Sequence, residues 1–382
     1  MKKALSINSG NYFFEFITVL VISMFPFYYL SIGNLGVYQA LGFLQIFAVA
    51  VCLLGSKEIR IPWYAVWYAL YILLIALSNF YQGNSVFQSI KIYSIALMAM
   101  FYIKGVRKPF NVYLLTSMIS VCVGIYMLVN NELSFQGRLT ITIGSIQQDP
   151  NWCALFFVIP FNYSLHSIRE NSIIKKILSI VVLLLCVYIT FLTGSRGAML
   201  GLIVSLLIWV ISWKKGIIQR IGIILIAGLF FLLLFWEFIP TDMIDRIFAN
   251  EENNSRLTIW SNLIREYGNG NIIQMLFGRG DNSCHRILGM GAHNDLLEAL
   301  FEFGMLGFVI RIVFWVYIIH DAIKTNNKIG VGILIALLTE SMFSPIQSVI
   351  YFALQISAVA YENKNKRPEA IKGVMITFGG GK

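Results

Sequence analysis

The chain has 382 residues, 58% of them hydrophobic and only 13% charged, with a net charge of +10. A soluble chain of this size carries roughly 25% charged residues, so the deficit excludes a soluble globular protein; no mixed-polarity stretch is long enough for a separate soluble domain, and 1–382 reads as a single membrane domain. The positive charge, which would suggest nucleic acid in a soluble protein, is explained by the Lys and Arg enrichment of cytoplasmic loops, so a lipid bilayer and no nucleic acid is the expected surrounding.

A bilayer-spanning helix needs about 20 mostly apolar residues. In chain order such runs fall at 12–32, 35–54, 62–80, 86–103, 111–129, 150–168, 173–192, 197–213, 217–238 and 296–319. A last apolar region, 329–361, is broken at Ser344-Pro345 and is split into spans 329–343 and 346–361. Met1-Lys2-Lys3 and the first run lack a small-residue cleavage site, so that run reads as a retained helix and not a removed signal peptide. The expected fold is all-α, a polytopic transmembrane helical bundle of about 12 spans with one large extracytoplasmic loop, 239–295, between spans nine and ten.

Placing Lys2 and Lys3 in the cytoplasm and alternating puts 20 of the 29 basic residues on the inner side, 15 Lys and 5 Arg. Every inner connection is then basic, as the positive-inside rule requires, and both termini are cytoplasmic. The outer side carries seven basic residues, Arg138, Arg196, Arg246, Arg256, Arg265, Arg279 and Arg286, and no Lys. Arg offers a planar fork that binds phosphate or carboxylate bidentately, whereas Lys is a point charge. Ordinary surface pairing with loop acids such as Glu251, Glu266 and Asp281 is the alternative, weakest for Arg196, which has no acidic neighbour in sequence.

Within the loop, Leu257, Trp260, Leu263, Ile264 and Tyr267 recur at helical spacing, with Ser255 as a cap and Gly268 as a stop. The amphipathic helix they predict would lie along the outer membrane surface. Of the five cysteines, Cys284 alone stands in a polar loop, and no Cys/His spacing resembles a zinc site.

Four features gather on the outer side. Thr193-Gly194-Ser195-Arg196-Gly197 makes a tight turn that brings backbone and guanidinium to a ligand, or serves simply as a hairpin. His293-Asn294 opens a span; Asn294 caps it, and the positive helix end favours neutral imidazole on His293, the form a general base needs, although a lone His there is more often structural. Gly304 and Gly307, further along the same span, suggest close helix packing. Asp149-Pro150-Asn151 is a capped helix start and a candidate substrate contact. Lys91, one or two turns below the outer end of its span, is a functional candidate by the cost of its position, with snorkelling as the alternative. Arg311, nearer the inner end of its span, is expected to snorkel.

Arg196-Gly-Ala-Met-Leu200 resembles the Arg-x-x-x-Leu motif of the O-antigen ligase and polymerase superfamily. His293-Asn294, nine residues and Gly304-x-x-Gly307 resemble its His-Asn-x9-Gly-x-x-Gly motif, and Arg256 with Trp260 resembles the Arg-x3-Trp of its large periplasmic loop. Asp149-Pro150-Asn151 also looks familiar from that family, and the resemblance covers about 150 to 310. It implies a metal-independent glycosyltransferase, without cofactor, in the cytoplasmic (inner) membrane with its active face outward. Its donor would be an undecaprenyl-diphosphate-linked oligosaccharide, its partners a chain-length regulator and a flippase. On that reading Arg196 and Arg256 bind the diphosphate and stabilise its charge, and His293 is the general base for the acceptor hydroxyl. Lys91, Arg138, Arg286, Asp149, Asn151 and Asn294 are lesser substrate contacts. Polymerisation of repeat units is the leading expectation, with ligation of polymer to lipid A core as the rival. A transporter or flippase is disfavoured because no internal repeat is visible and the mid-membrane reads as nearly charge-free.

Overall fold

The computed structural model describes residues 9–27, 30–32, 35–55, 58–83, 85–103, 111–134, 137–143, 146–170, 172–211, 251–343, 350–366 and 372–377. Expected span 217–238, Ser344-Pro345 and the loop's first residues, 239–250, lie outside them. Helices dominate what is described. They are α1 (Ser9–Ser23), α2 (Val37–Gly55), α3 (Trp63–Tyr81), α4 (Val86–Ala99), α5 (Val112–Asn130), α6 (Pro150–Leu155), α7 (Val158–Ser167), α8 (Ile173–Leu192) and α9 (Arg196–Ile211). After the break come α10 (Glu251–Gly268), α11 (Ile272–Phe277), α12 (Ser283–Leu288), α13 (Asp295–Lys324), α14 (Lys328–Ser341) and α15 (Ile350–Lys366). The strands are short antiparallel pieces that form no closed sheet among the described residues; the longest pairing joins Glu58–Pro62 to Gly373–Thr377.

Proline sets where two expected spans break. The first ends as helix at Ser23 and gives way to a 3-10 turn at Phe25–Phe27, with Pro26 lacking the N–H that would continue it. Expected span 150–168 is two helices, α6 and α7, interrupted at Phe156 and Phe157. Pro160 is the cause, because a proline ring crowds the carbonyl four residues earlier, here that of Phe156.

By length and composition α3, α5, α8 and α13 can each cross a membrane, and shorter apolar helices cover Phe13–Ser23, Gln39–Val51 and Arg196–Ile211. Beside a hydrophobic core, these helices expose large apolar side chains and bury small polar ones. On α8, Ile173 is 67% exposed and Leu178 59%, while Ser179 and Thr190 are buried. Small polar residues packed inward, with Ile and Leu facing out, suit a lipid surrounding. Thr18, Thr116, Ser120, Ser205 and Ser357 repeat the pattern on other helices.

Two details of packing govern the site. The first is the seam of α9 against α14. Gly197, Gly201 and Ser205 fall at every fourth position of α9 and meet Glu340, Ala336 and Gly332 of α14, which runs the other way. A Cβ on Gly201 would come within 2.9 Å of the Ala336 carbonyl oxygen, and Ser205 Oγ donates to Gly332 O at 3.0 Å. Small residues four apart let two helix backbones meet without apolar bulk between them.

The second is a break in α13 at Gly304, whose φ of +70° and ψ of −169° are non-helical. The break frees carbonyls, and the loop fills it: Arg279 N donates to Phe301 O at 3.2 Å and Gly280 N to Glu302 O at 2.8 Å. Ser78 Oγ of α3 donates to Phe277 O at 3.2 Å. The sequence suggested close helix packing at Gly304 and Gly307. Gly304 instead admits the backbone of Leu276 and Gly278.

The break also corrects the expectation for Arg311. Its guanidinium does not snorkel: it is buried, with Nε 2.7 Å and Nη2 3.2 Å from the carboxylate of Asp295. Sixteen residues of straight helix would hold the two about 24 Å apart, so the pair exists only because the chain folds back at Gly304. With buried Glu15, Glu302 and Glu340, it places ionisable groups inside the bundle.

Candidate active site

Arg196 is the first residue of α9, delivered by the Gly194-Ser195 turn, where Gly194 has φ +60°. That turn is braced from outside the helix. Buried Arg138 donates through Nε to Thr193 O at 2.5 Å and through Nη2 to Asn151 Oδ1 at 2.6 Å. Leu139 N donates to Leu192 O at 3.0 Å. Asp149 caps α6 as its sequence predicts, accepting from Asn151 N at 2.7 Å, with Pro150 at the first helical position. Arg138 and Asn151 therefore brace the Arg196 turn, with Asp149 capping the helix that carries Asn151.

Arg256 and Trp260 stand one turn apart on α10, on one face. The helix begins at Glu251, so Ser255 lies inside it and is not its cap. Trp260 Nε1 donates to Ala292 O at 2.8 Å, which ties α10 to the residue before His293. Leu263 packs with Cys284, Ala292 and Phe301 in a small buried cluster beneath the loop. Cys284 is thus core, not polar loop surface, and burial pushes its thiol pKa up. The Arg256 guanidinium sits 5.6 Å from the centroid of the Phe343 ring, in cation–π range.

Asn294 caps α13 as the sequence predicts, its Oδ1 accepting from Leu296 N and Leu297 N, both at 3.1 Å. Its Nδ2 lies 3.5 Å from Met342 O. His293 is exposed, in a left-handed backbone conformation with φ +51°. The residue before it is fixed as well: Ala292 N donates to Glu298 Oε2 at 3.2 Å. His293 thus projects from a short stretch anchored on both sides.

Three motifs far apart in sequence meet the same few residues at the end of α14. Gly197, next to Arg196, lies against Glu340 and Phe343; Arg256 stands over Phe343; Asn294, next to His293, reaches Met342. Glu340 is buried to 1% exposure. The sequence reading missed Glu340 and Phe343, although a carboxylate inside the apolar run 329–343 is itself a signal, since an ionisable residue there is costly.

Of the remaining candidates, Arg279, Arg265 and Arg286 are described and stand apart from this meeting point. Arg286 is exposed on α12, with Nη2 3.3 Å from Arg279 O and 3.5 Å from Asp281 O. Lys91 is in α4, and its side chain lies outside the described residues, as does Arg246. Arg279 donates to Glu266 O and stacks over Phe301, and exposed Arg265 is 3.8 Å from Glu266, which fits ordinary structural pairing.

Residues 181–312 match the protein family described as O-antigen ligase. The matched region contains Arg196, Arg256, His293, Asn294 and both glycines of the His-Asn-x9-Gly-x-x-Gly pattern. The match supports membership of the O-antigen polymerase and ligase superfamily, and with it a membrane enzyme of polysaccharide assembly. No curated protein matches the chain.

Proposed function

We propose that this protein is a metal-independent membrane glycosyltransferase that joins undecaprenyl-diphosphate-linked oligosaccharide repeat units into O-antigen, capsule or exopolysaccharide on the outer face of the cytoplasmic membrane. The observation that carries the reading is the approach of the Arg196 turn, Arg256 and the His293-Asn294 pair to one segment, Glu340 to Phe343. Two guanidinium groups and an exposed imidazole at one end of a helical bundle suit the transfer of a sugar from a diphosphate.

In the proposed reaction an acceptor hydroxyl attacks the anomeric carbon of the donor sugar. His293 takes the hydroxyl proton as the new C–O bond forms. The bond from the anomeric carbon to the diphosphate breaks, and the leaving oxygen keeps the electron pair. Arg196 and Arg256 stabilise the charge that grows on the diphosphate, the group whose stabilisation most lowers such a barrier. Direct displacement on an α-linked donor inverts the anomeric centre. Arg138, Asp149 and Asn151 act by holding the Arg196 turn, and Trp260 by holding α10 near His293.

Ligation of finished polymer to lipid A core uses the same chemistry, and the family's description favours it. Polymerisation leads because polymerase sequences are the more numerous and divergent of the two. Membranes from a strain lacking the protein separate the readings. Loss of the polymer ladder, with lipopolysaccharide still capped by a single repeat, is the result expected. Polymer accumulating on undecaprenyl diphosphate over bare core would overturn polymerisation in favour of ligation.

A further inference from the structure

The apolar exposure of the large loop gathers on one short helix. The sequence of α11 is Ile-Ile-Gln-Met-Leu-Phe, without a charged residue, and none of its residues is buried. Ile272, Ile273, Leu276 and Phe277 are all exposed, Ile272 at 69%. They stand at positions i, i+1, i+4 and i+5, which is one face of a helix. On α10, which the sequence pattern puts along the membrane surface, exposed Leu257 and Ile264 are interleaved with Thr258, Ser261 and Arg265. Contiguous exposed apolar surface, unlike single scattered residues, marks an interaction site.

The position of α11 says what covers that face. Phe277 O accepts from Ser78 Oγ, in the last turn of α3, and Asp281 N donates to Asn79 Oδ1 at 3.0 Å. The backbone of Leu276 and Gly278 fills the break at Gly304. α11 therefore lies where α3 ends and where the longer part of α13 begins.

Both of those helices carry an exposed apolar stripe that leads to it. On α3 the stripe is Leu70, Leu73, Leu77 and Phe80, three or four residues apart. On α13 it is Met305, Val309, Ile312 and Val316, with the same spacing. On helices long and apolar enough to cross a membrane, such stripes are the sides that face lipid. From Met305 to Lys324, α13 runs about 20 residues, or about 30 Å, which matches the hydrocarbon core by itself. The break at Gly304 then falls at the edge of the hydrocarbon, and α11 with it. Tyr81, exposed at the same end of α3, is a residue type enriched at that boundary.

We infer that α11 is a membrane anchor of the loop, with its apolar face set among the acyl chains of the adjoining leaflet. The occupant is bilayer lipid because the face continues two stripes that already meet lipid. Helices with one apolar face and no span of their own bind membranes in this way. The anchor ties the loop that carries Arg256 to the bilayer, and through the Gly304 break it ties that loop to α13 as well. The inference is independent of which glycan is transferred and of which leaflet the Arg196 end faces.

The test is the accessibility of single nitroxide spin labels on the full chain, with its own cysteines replaced by serine, in vesicles of phosphatidylethanolamine and phosphatidylglycerol. Ile273→Cys and Phe277→Cys carry the label on α11. Leu73→Cys, on the α3 stripe, is the lipid reference, and Arg286→Cys, on α12, is the aqueous one. Power saturation compares collisions with oxygen, which concentrates among acyl chains, and with a nickel chelate, which stays in water. The oxygen-to-nickel ratio at 273 and 277 should exceed that at 286 several-fold and approach that at 73. A ratio equal to that at 286 would overturn the inference. Shielding from both reagents would overturn the lipid assignment and give the face to a protein partner or a second copy. If the cysteine-free chain does not fold, p-benzoylphenylalanine in place of Phe277 in the otherwise native chain decides the matter. Photocrosslinks to lipid are then expected, and their absence would overturn the anchor.

Discussion

Arg196 and His293 differ in how they are held, and the difference shapes what each substitution should do. Arg196 opens a helix whose preceding turn is braced by Arg138, so its backbone stays in place when its side chain changes. Arg196→Lys keeps the charge but loses the planar fork. Transfer by membranes carrying this variant should fall about 100-fold or more, the scale for losing one preorganised charge-stabilising donor. Wild-type rates in that assay would remove diphosphate recognition from Arg196. His293 is exposed, and its neighbours Ala292 and Asn294 make the anchoring bonds. His293→Ala should therefore leave the amount of protein in the membrane unchanged while transfer drops by about 10² to 10⁴, the range for a general base. Polymer of normal length and amount from that variant would rule out the general-base role. Both residues are legible in the sequence because each belongs to a motif with internal spacing. Phe343 is not, because its importance arises from contact with segments distant in the chain, and Glu340 shows only as a costly carboxylate in an apolar run, with nothing in the sequence to say what it meets.

Among the elements, α13 departs most from its sequence pattern. Hydropathy marks one span at 296–319, and a continuous helix is the natural reading. The structure divides it at Gly304, where φ is +70°. No local signal separates a glycine that packs a helix from one that breaks it; the loop backbone at Leu276 to Gly280, which takes up the freed carbonyls, decides the outcome. The fold-back then brings Asp295 to Arg311, so one glycine supports a buried ion pair as well as a loop seat. Gly304→Ala should be severely destabilising: φ +70° with ψ −169° is a backbone region essentially reserved for glycine, which costs another residue about 1–3 kcal/mol, and its Cβ also meets the Leu276 carbonyl. If the loop is expelled and Asp295 and Arg311 part, the loss of a buried pair adds about 3–5 kcal/mol. Thermal unfolding in detergent, compared with wild type, measures this. A Gly304→Ala protein as stable as wild type would mean that the break is not needed. Pro26 and Pro160 show the opposite case: proline is a local instruction, and both breaks are visible in the sequence once the missing N–H and the crowded carbonyl are considered.

Across the whole molecule, charge and packing divide the bundle into two ends. The membrane character was legible from composition alone, because a charge content this low permits no other surface. The proposed assignment of inner and outer ends rests on the sequence contrast between Lys and Arg and on the rule that insertion concentrates basic residues on one side. What composition does not encode is the path between the ends. The α9–α14 seam of Gly197, Gly201 and Ser205 against Glu340, Ala336 and Gly332 joins the Arg196 end to the Lys328 end through small residues and polar contacts. Such a seam has weak hydropathy contrast and emerges only when the two helices are paired. The orientation proposed for the bundle makes a prediction that does not depend on chemistry. In a chain whose own cysteines are replaced by serine, Arg286→Cys and Lys324→Cys place single thiols at exposed positions on α12 and at the end of α13. A membrane-impermeant maleimide applied to intact cells should label the thiol at 286 and reach the one at 324 only after the membrane is permeabilised. Neither position touches the α9–α14 seam, so neither change should disturb insertion. The reverse labelling would place the Arg196 end in the cytoplasm. It would then leave the seven-arginine face without access to a donor on the outer leaflet, and the proposed reaction would fail with it.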